Sequence, residues 1–335
     1  MSFINKDIAV DLGTSNIKIY MKDKGLIVKE PSVVVINQKN NEVLAVGEDA
    51  KEMIGRAPDN LAVIKPIKNG VISNFNGACK LLQKFFNDLL GKNIFMKVRA
   101  LVGVPSSITD VEQRAVEEAI YSAGAKEVYV VDQAFASAVG SGIKVDSPEG
   151  TMVINIGAGV TEVAVISLGG IVVSNSIKLA GDEMDKAIIE YIKEKYNILI
   201  GENIAEEIKN NVGTAGLTMA DERLQLKGRN MLTGLPDTIT IYTQDVQEAI
   251  SGILKEIVKL VNITLEKTPP ELAGDIVKNG IVICGGGAYI KNIERYVNSE
   301  TGLQASIADT PMDSTIKGLG KILNNIESLR KAVKR

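Results

Sequence analysis

Short runs of β-branched residues alternate with longer amphipathic runs along this chain, which is the pattern of an α/β protein. Ile8–Leu12 and Ile17–Met21 predict two strands around the tight turn Gly13-Thr14-Ser15-Asn16. Val33–Ile36 and Glu42–Val46 predict a second pair across residues 37–41. Between Lys80 and Leu90, the residues Leu81, Leu82, Phe85, Phe86 and Leu89 recur at helical spacing and predict a core-facing stripe. Ala100–Val104 predicts a strand ended by Pro105. Thr109-Asp-Val-Glu112 has capping-box spacing and opens a helix through Ser122, with Val111, Ala115, Ala119 and Ile120 on one side. Val128–Val131 predicts another strand, followed by an Ala-rich helix to Gly140 and a break at Ser147-Pro-Glu-Gly150. The run Thr315–Arg335 predicts a basic amphipathic helix with Ile316, Leu319, Ile322, Leu323 and Ile326 in one stripe, closing the first half of the molecule.

A weak internal repeat is the most informative feature. Ile8-Ala-Val-Asp-Leu-Gly-Thr-Ser-Asn-Ile-Lys-Ile19 matches Met152-Val-Ile-Asn-Ile-Gly-Ala-Gly-Val-Thr-Glu-Val163, with Asp11 on Asn155 and Gly13 on Gly157. Each copy is an apolar strand, a short polar residue, a glycine turn and a returning strand. Duplicated hairpins on two halves can face each other and present backbone N–H groups to an anion, because glycine permits close approach. A third cluster, Gly285-Gly286-Gly287, follows the apolar strand Ile281–Cys284, another setting for a phosphate or nucleotide. A lone glycine turn is usually only a turn; two related copies and a third cluster favour phosphate binding.

Composition narrows the chemistry. At 335 residues the chain has room for two domains of roughly 150 residues. Its 45% apolar and 24% charged content excludes global disorder. No linker separates the halves, so the chain is expected to cross between them more than once. A net charge of −3 argues against a nucleic-acid protein held by a general basic field. With no histidine, Ser-His-Asp hydrolysis and His-ligated zinc are impossible. Cys79 and Cys284 suit a reducing cytoplasm. No apolar run reaches bilayer-spanning length, and the first seven residues lack a secretory signal.

These residues resemble the actin-like ATPase superfamily, and within it the bacterial actin homologue MreB family. The resemblance runs over nearly the whole chain. Besides the glycine elements, it is carried by Glu30-Pro-Ser-Val33, Gly103-Val-Pro105, Ala180-Gly-Asp-Glu-Met-Asp185, Leu232-Thr-Gly-Leu-Pro236 and Thr268-Pro-Pro-Glu-Leu272. It implies a duplicated, ribonuclease H-like two-lobe α/β fold with four subdomains around an ATP cleft. By this resemblance subdomain IA comprises residues 1–32, 75–144 and 316–335, and IB residues 33–74. Subdomain IIA comprises 145–182 and 243–315, and IIB 183–242.

The resemblance makes Gly13, Thr14, Ser15 and Asn16 the first phosphate loop, beginning from Asp11, and Gly157, Ala158, Gly159 and Thr161 part of the second. Gly181 and Asp182 fall at the ribose and phosphate edge. Glu206 and Lys209, three apart on one helical face, fall at the adenosine, and Gly285, Gly286 and Gly287 behind the adenine. Lys18 matches a phosphate-contacting lysine of eukaryotic actin; from the strand pattern alone it reads equally as a solvated lysine. Asp11 and Asn155 would hold Mg²⁺ through water.

Hydrolysis of a γ-phosphate depends on positioning water and offsetting charge. Where the family writes Glu-Glu-Pro-Met, this chain has Asp132-Gln-Ala-Phe135, so Gln133 replaces a glutamate near the attacking water. The family's Asp-Ile-Gly-Gly-Gly-Thr-Thr-Glu is here Asn155-Ile-Gly-Ala-Gly-Val-Thr-Glu162. Gln133 can orient water but cannot take its proton, Val160 lacks a hydroxyl, and Asn155 removes a charge near the metal. Each such loss typically costs about 3 kcal/mol, or roughly 100-fold. Eukaryotic actin shares the glutamine and the Gly-Val-Thr and still hydrolyses ATP, so the expectation is slow turnover with ATP and ADP binding retained.

The resemblance also implies self-assembly into filaments, alone or with other MreB paralogues, supporting cell shape, or motility in a wall-less cell. Ile94, Phe95 and Met96, flanked by Lys92 and Lys97, fall where the family carries a small membrane-insertion loop. They read equally as the start of the strand into Val98–Val104. The expected location is the cytoplasm, at the inner face of the cell membrane if the loop inserts, with no nucleic-acid partner. Two rivals share the superfamily: a small-molecule kinase, which needs an aspartate base that residues 155–162 do not offer, and an Hsp70-like ATPase module, which needs a substrate-binding domain. Light scattering with ATP separates filaments from both.

Overall fold

A computed structural model describes residues 4–90, 96–216, 222–325 and 333–334. Two mixed sheets organise it. The first runs, in spatial order, Val333–Lys334, Ala125–Asp132, Met96–Val104, Ile4–Leu12, Asn16–Met21 and Gly25–Pro31. The second runs Gly170–Ile177, Thr161–Ser167, Thr151–Ile156, Ile281–Cys284 and Ala305–Ile307. Both are built the same way. Ile4–Leu12 pairs antiparallel with Asn16–Met21 and parallel with Met96–Val104. Thr151–Ile156 pairs antiparallel with Thr161–Ser167 and parallel with Ile281–Cys284. The repeat seen in the sequence is therefore a repeat of topology.

The inner faces of the sheets share one core. Ala9, Leu101 and Val131 from the first sheet and Val153, Ala164 and Ile166 from the second pack on two helices between them, Gln133–Gly140 and Ser314–Asn324. These helices cross at glycines: Gly140 lies on Ser314 and Gly318 on the carbonyl of Ala136, so neither position has space for a Cβ. Separate cores fill the outer faces. Beside the first sheet lies a small one of Val34–Asn37, Val43–Val46 and Leu61–Ile64; beside the second lies one of Ile198–Leu199, Arg223–Asn230 and Pro236–Tyr242.

Most predicted elements form, with shifted ends. The stripe helix is Phe75–Leu90, with Leu81, Leu82, Phe85 and Phe86 buried. Thr109 and Glu112 make the capping box of helix Asp110–Ser122. Its buried face is Val116, Ala119 and Ile120; Val111, expected inside, is exposed because it lies in the first turn, off the line of the other three. The C-terminal helix stops at Asn324 instead of running to Arg335, and the β-branched Val333 pairs with Val131 at the sheet edge. Ile316, Leu319, Ile322 and Leu323 are buried as expected; Ile326 lies outside the described residues. So do Ile94 and Phe95, as does the side chain of Met96, whose backbone begins a strand.

Candidate functional site

The two repeated hairpins meet across a cavity of about 190 Å³ between the halves. Their turns are closed alike: the Gly13 N–H donates to the Asn16 carbonyl at 3.1 Å, and the Gly157 N–H to the Val160 carbonyl at 2.9 Å. A methyl at Gly13 would sit 2.7 Å from the Asn16 carbonyl oxygen, so the turn admits no side chain there. Gly159 faces the other half. A methyl on it would lie 2.5 Å from Thr14 Oγ1 and 2.8 Å from the Asn69 backbone. Thr14 Oγ1 accepts from the Gly70 N–H at 2.9 Å, which ties the first turn to the hairpin of Ile67–Lys68 and Val71–Ile72. Gly285, in the left-handed region at φ 84°, donates its N–H to the Pro311 carbonyl at 2.8 Å. It backs directly on the second hairpin at Asn155 and Ile156.

Asp11, Gly13, Thr14, Ser15, Asn16, Lys18 and Gln133 line the cavity from the first half. Asn155, Gly157, Ala158, Gly159, Val160, Gly181, Glu206, Lys209 and Gly285, Gly286 and Gly287 line it from the second. Two expected residues do not. Thr161 turns into the protein, its hydroxyl donating to the Leu179 carbonyl at 2.7 Å. Asp182 lines a smaller adjoining recess with Thr14, Ser15, Lys65 and Glu202. Sequence reasoning missed Gly70, Met184, Asn210, Tyr289, Ile290, Met312 and Thr315, which complete the wall. The Asn69-Gly70 dipeptide between Ile67-Lys68 and Val71-Ile72 was a readable turn signal. Nothing local marks Met312 or Thr315, which arrive from the other end of the chain.

The charges in the cleft are mostly paired. Lys209 donates to the Gly181 carbonyl at 3.0 Å and to Asp185 at 2.8 Å. Lys51 meets Glu206 at 3.2 Å and Lys65 meets Glu202 at 2.6 Å, two ion pairs across the mouth. Lys18 is buried, not solvated: it pairs with Asp313 at 3.2 Å and donates to the Met312 carbonyl. Burial raises the Asp11 carboxyl above its ordinary range, while Lys18 pulls it back. Burial also pushes Asp185 to about 6 against the pull of Lys209. Glu162, behind the second turn, rises to about 7 through burial and the nearby Asp132. Gln133 Nε2 lies 3.5 Å from Asp11 Oδ1 and 3.4 Å from the Gly103 carbonyl, long contacts that leave its amide loosely held.

Oxygen-bearing Asp11 and Asn155 both line the cavity, one from each hairpin. Among the described residues no three acidic or thiol side chains converge. Such a donor set fits a hard cation that takes its remaining ligands from phosphate and water, as Mg²⁺ does.

Residues 5–331 match the family model described as MreB/Mbl protein. The chain is 43% identical over 326 residues to cell shape-determining protein Mbl of Bacillus subtilis, covering 97% of this chain and 98% of that one. It is 43% identical over 329 residues to cell shape-determining protein MreB of Escherichia coli K12, covering 96% and 94%. Among solved structures, MreB5 of Spiroplasma citri bound to ADP superposes with a TM-score of 0.92 at 34% identity, covering 98% of both chains.

Proposed function

The chain belongs to the MreB/Mbl family, and on that footing we propose that it binds ATP and ADP between its two lobes and polymerises into cytoskeletal filaments that support cell shape. Its fold is actin-like, with duplicated sheets flanking a cleft. The observation that carries the proposal is the convergence of both glycine hairpins and the third glycine cluster on one cavity. The ADP bound to the similar MreB5 gives the expected ligand class.

In this reading the turns at residues 13–16 and 157–160 embrace the phosphates, and residues 285–287 with Tyr289 and Ile290 flank the base. Glu206 and Lys209 stand at the adenosine. Bound Mg²⁺ would offset charge on the β- and γ-phosphates, with Asp11 and Asn155 as the residues that hold it. Gln133 orients the attacking water through its amide but leaves the proton to solvent or phosphate. Val160 presents methyls where a hydroxyl would fix that water, so hydrolysis is slow. Membrane contact through Ile94, Phe95 and Met96, and co-assembly with other family members, extend the reading on sequence grounds alone.

Electron microscopy of purified protein with ATP, with ADP and without nucleotide tests it. Filaments are expected with ATP. Particles that stay single under all three conditions, while calorimetry detects no adenine nucleotide, would sink the proposal.

A further inference from the structure

Lys18 and Glu162 occupy equivalent positions in the two hairpins, directly opposite Asp11 and Asn155. Each crosses to chain outside its own hairpin. Glu162, only 1% exposed, accepts from the backbone N–H and the hydroxyl of Ser106 at 2.7 and 2.8 Å, and Ser106 belongs to the first half. Lys18, 4% exposed, donates to the Met312 carbonyl and pairs with Asp313 at 3.2 Å. Met312 and Asp313 lie in the short turn Pro311–Asp313, where the chain leaves the second sheet after Ile307 and enters the helix Ser314–Asn324 of the central layer. That crossover also holds the third glycine cluster, since the Pro311 carbonyl takes the Gly285 N–H. Met312 and Thr315 on it line the cavity. Lys29, in register with Lys18 on the next strand, places a second ammonium 3.0 Å from Asp313.

We infer that Lys18 is a tether and not a phosphate ligand: with Asp313 it ties the first glycine hairpin to the crossover that shapes the base side of the cleft. Asp313 is a positioning residue, acting through Lys18. Anionic partners compete for the Lys18 ammonium. A buried ammonium needs an anion, because leaving a buried charge unpaired is strongly destabilising. Two carboxylates compete for this one, Asp11 across the hairpin and Asp313 on the crossover. Asp313 contacts Lys29 as well, which favours its ionised form, and the Met312 carbonyl gives the ammonium a second bond on the same side. Lys18 is thereby drawn towards the crossover, and Asp11 is left lining the cavity outside that ion pair. Two of the three donors of the ammonium are thus held on the crossover side, in competition with any phosphate in the cavity. The consequence is coupling: displacement of the base wall by a nucleoside is transmitted to the phosphate turn.

This inference rests on the nucleotide reading above. The test is calorimetry with adenosine and with ADP on the full-length protein, on Lys18→Met, on Asp313→Asn and on the double variant, with thermal melts of each. Each single variant is expected to weaken adenosine and ADP by the same factor, roughly five- to tenfold, the lower end of couplings between sites. The double variant is expected to be no weaker than the worse single one. Loss confined to ADP would make Lys18 a phosphate ligand and overturn the inference. Lower melting temperatures with both affinities unchanged would make the pair merely structural, and additive losses would deny the coupling; either result overturns it. If Lys18→Met does not fold, Asp313→Asn decides alone, since adenosine and ADP must still weaken together. Lys29→Met, which removes the second ammonium from Asp313 but keeps the Lys18–Asp313 pair, is expected to weaken both ligands less than either Lys18→Met or Asp313→Asn; a larger loss would overturn the assignment to Lys18. Failure of the parent protein to bind either ligand sinks the nucleotide reading itself, a result visible before any variant is made.

Discussion

The hairpins Asp11–Lys18 and Asn155–Glu162 share a backbone but divide the chemistry unequally. Each closes its turn with the same glycine N–H to a carbonyl three residues on, and each places a polar residue at the end of its first strand. The first keeps its functional groups in the turn: a carboxylate at Asp11, then Thr14, Ser15 and Asn16. The second has lost them, with Asn155, Ala158, Gly159 and Val160 at the matching places. Its carboxylate, Glu162, lies behind the turn and bonds Ser106. Opposite the polar residue the charge is inverted, Lys18 in one copy and Glu162 in the other. The difference teaches that the cradle is a property of backbone and glycine, so both copies must keep it. Side-chain polarity is no part of that backbone requirement and differs between the copies.

The largest effect is expected from restoring polarity to the second copy and to the residue facing it. Gln133→Glu with Val160→Thr is expected to speed phosphate release by roughly 100-fold, the weight of a positioned contact in a transition state. A phosphate-release assay that registers no gain would remove both residues from the account of slow turnover. Next comes the contact between the copies. Gly159→Ala forces a methyl against Thr14 and the Asn69 backbone. Overpacking of that kind costs about 1–3 kcal/mol, so ADP affinity measured by calorimetry is expected to fall by roughly 5- to 150-fold. An unchanged affinity would mean the cleft opens further than this geometry implies.

The smallest effect concerns the buried carboxylate of the second copy. Glu162 rises from an ordinary 4.5 to about 7 in the folded protein. Between those values the folded state holds a proton that the unfolded chain has released, so stability falls as pH rises through the window. Glu162→Gln keeps an acceptor for Ser106 and removes the titration. It is expected to melt a few degrees above the parent at pH 8, with the difference closing towards pH 5. An offset that does not vary with pH would contradict this account of Glu162.

Much of this was legible in the order of residues. The apolar strands at Ile8–Leu12 and Met152–Ile156, the glycines at 13 and 157 and the capping box at Thr109 and Glu112 are local signals, and each formed where its periodicity or turn chemistry predicts. The misplaced elements were those decided by distant partners. Val333 joins a sheet edge offered by Val131, which no periodicity near the C-terminus announces. Thr161 has the same composition cue as its neighbours, yet the pleat turns it inward to the Leu179 carbonyl.

Sequence by itself determined the duplicated cradle, because a glycine turn between two apolar strands requires only residues that are adjacent in the chain. It also supplied the expectation of slow hydrolysis, since the amide of Gln133 cannot take a proton and Val160 has no hydroxyl. Tertiary structure alone decided the electrostatics. Lys18 is separated from Asp313 by nearly the whole chain, and only the return of the C-terminal segment to the central layer brings them within 3.2 Å. An isolated strand lysine would be solvated; buried beside two carboxylates, its partner is chosen by geometry.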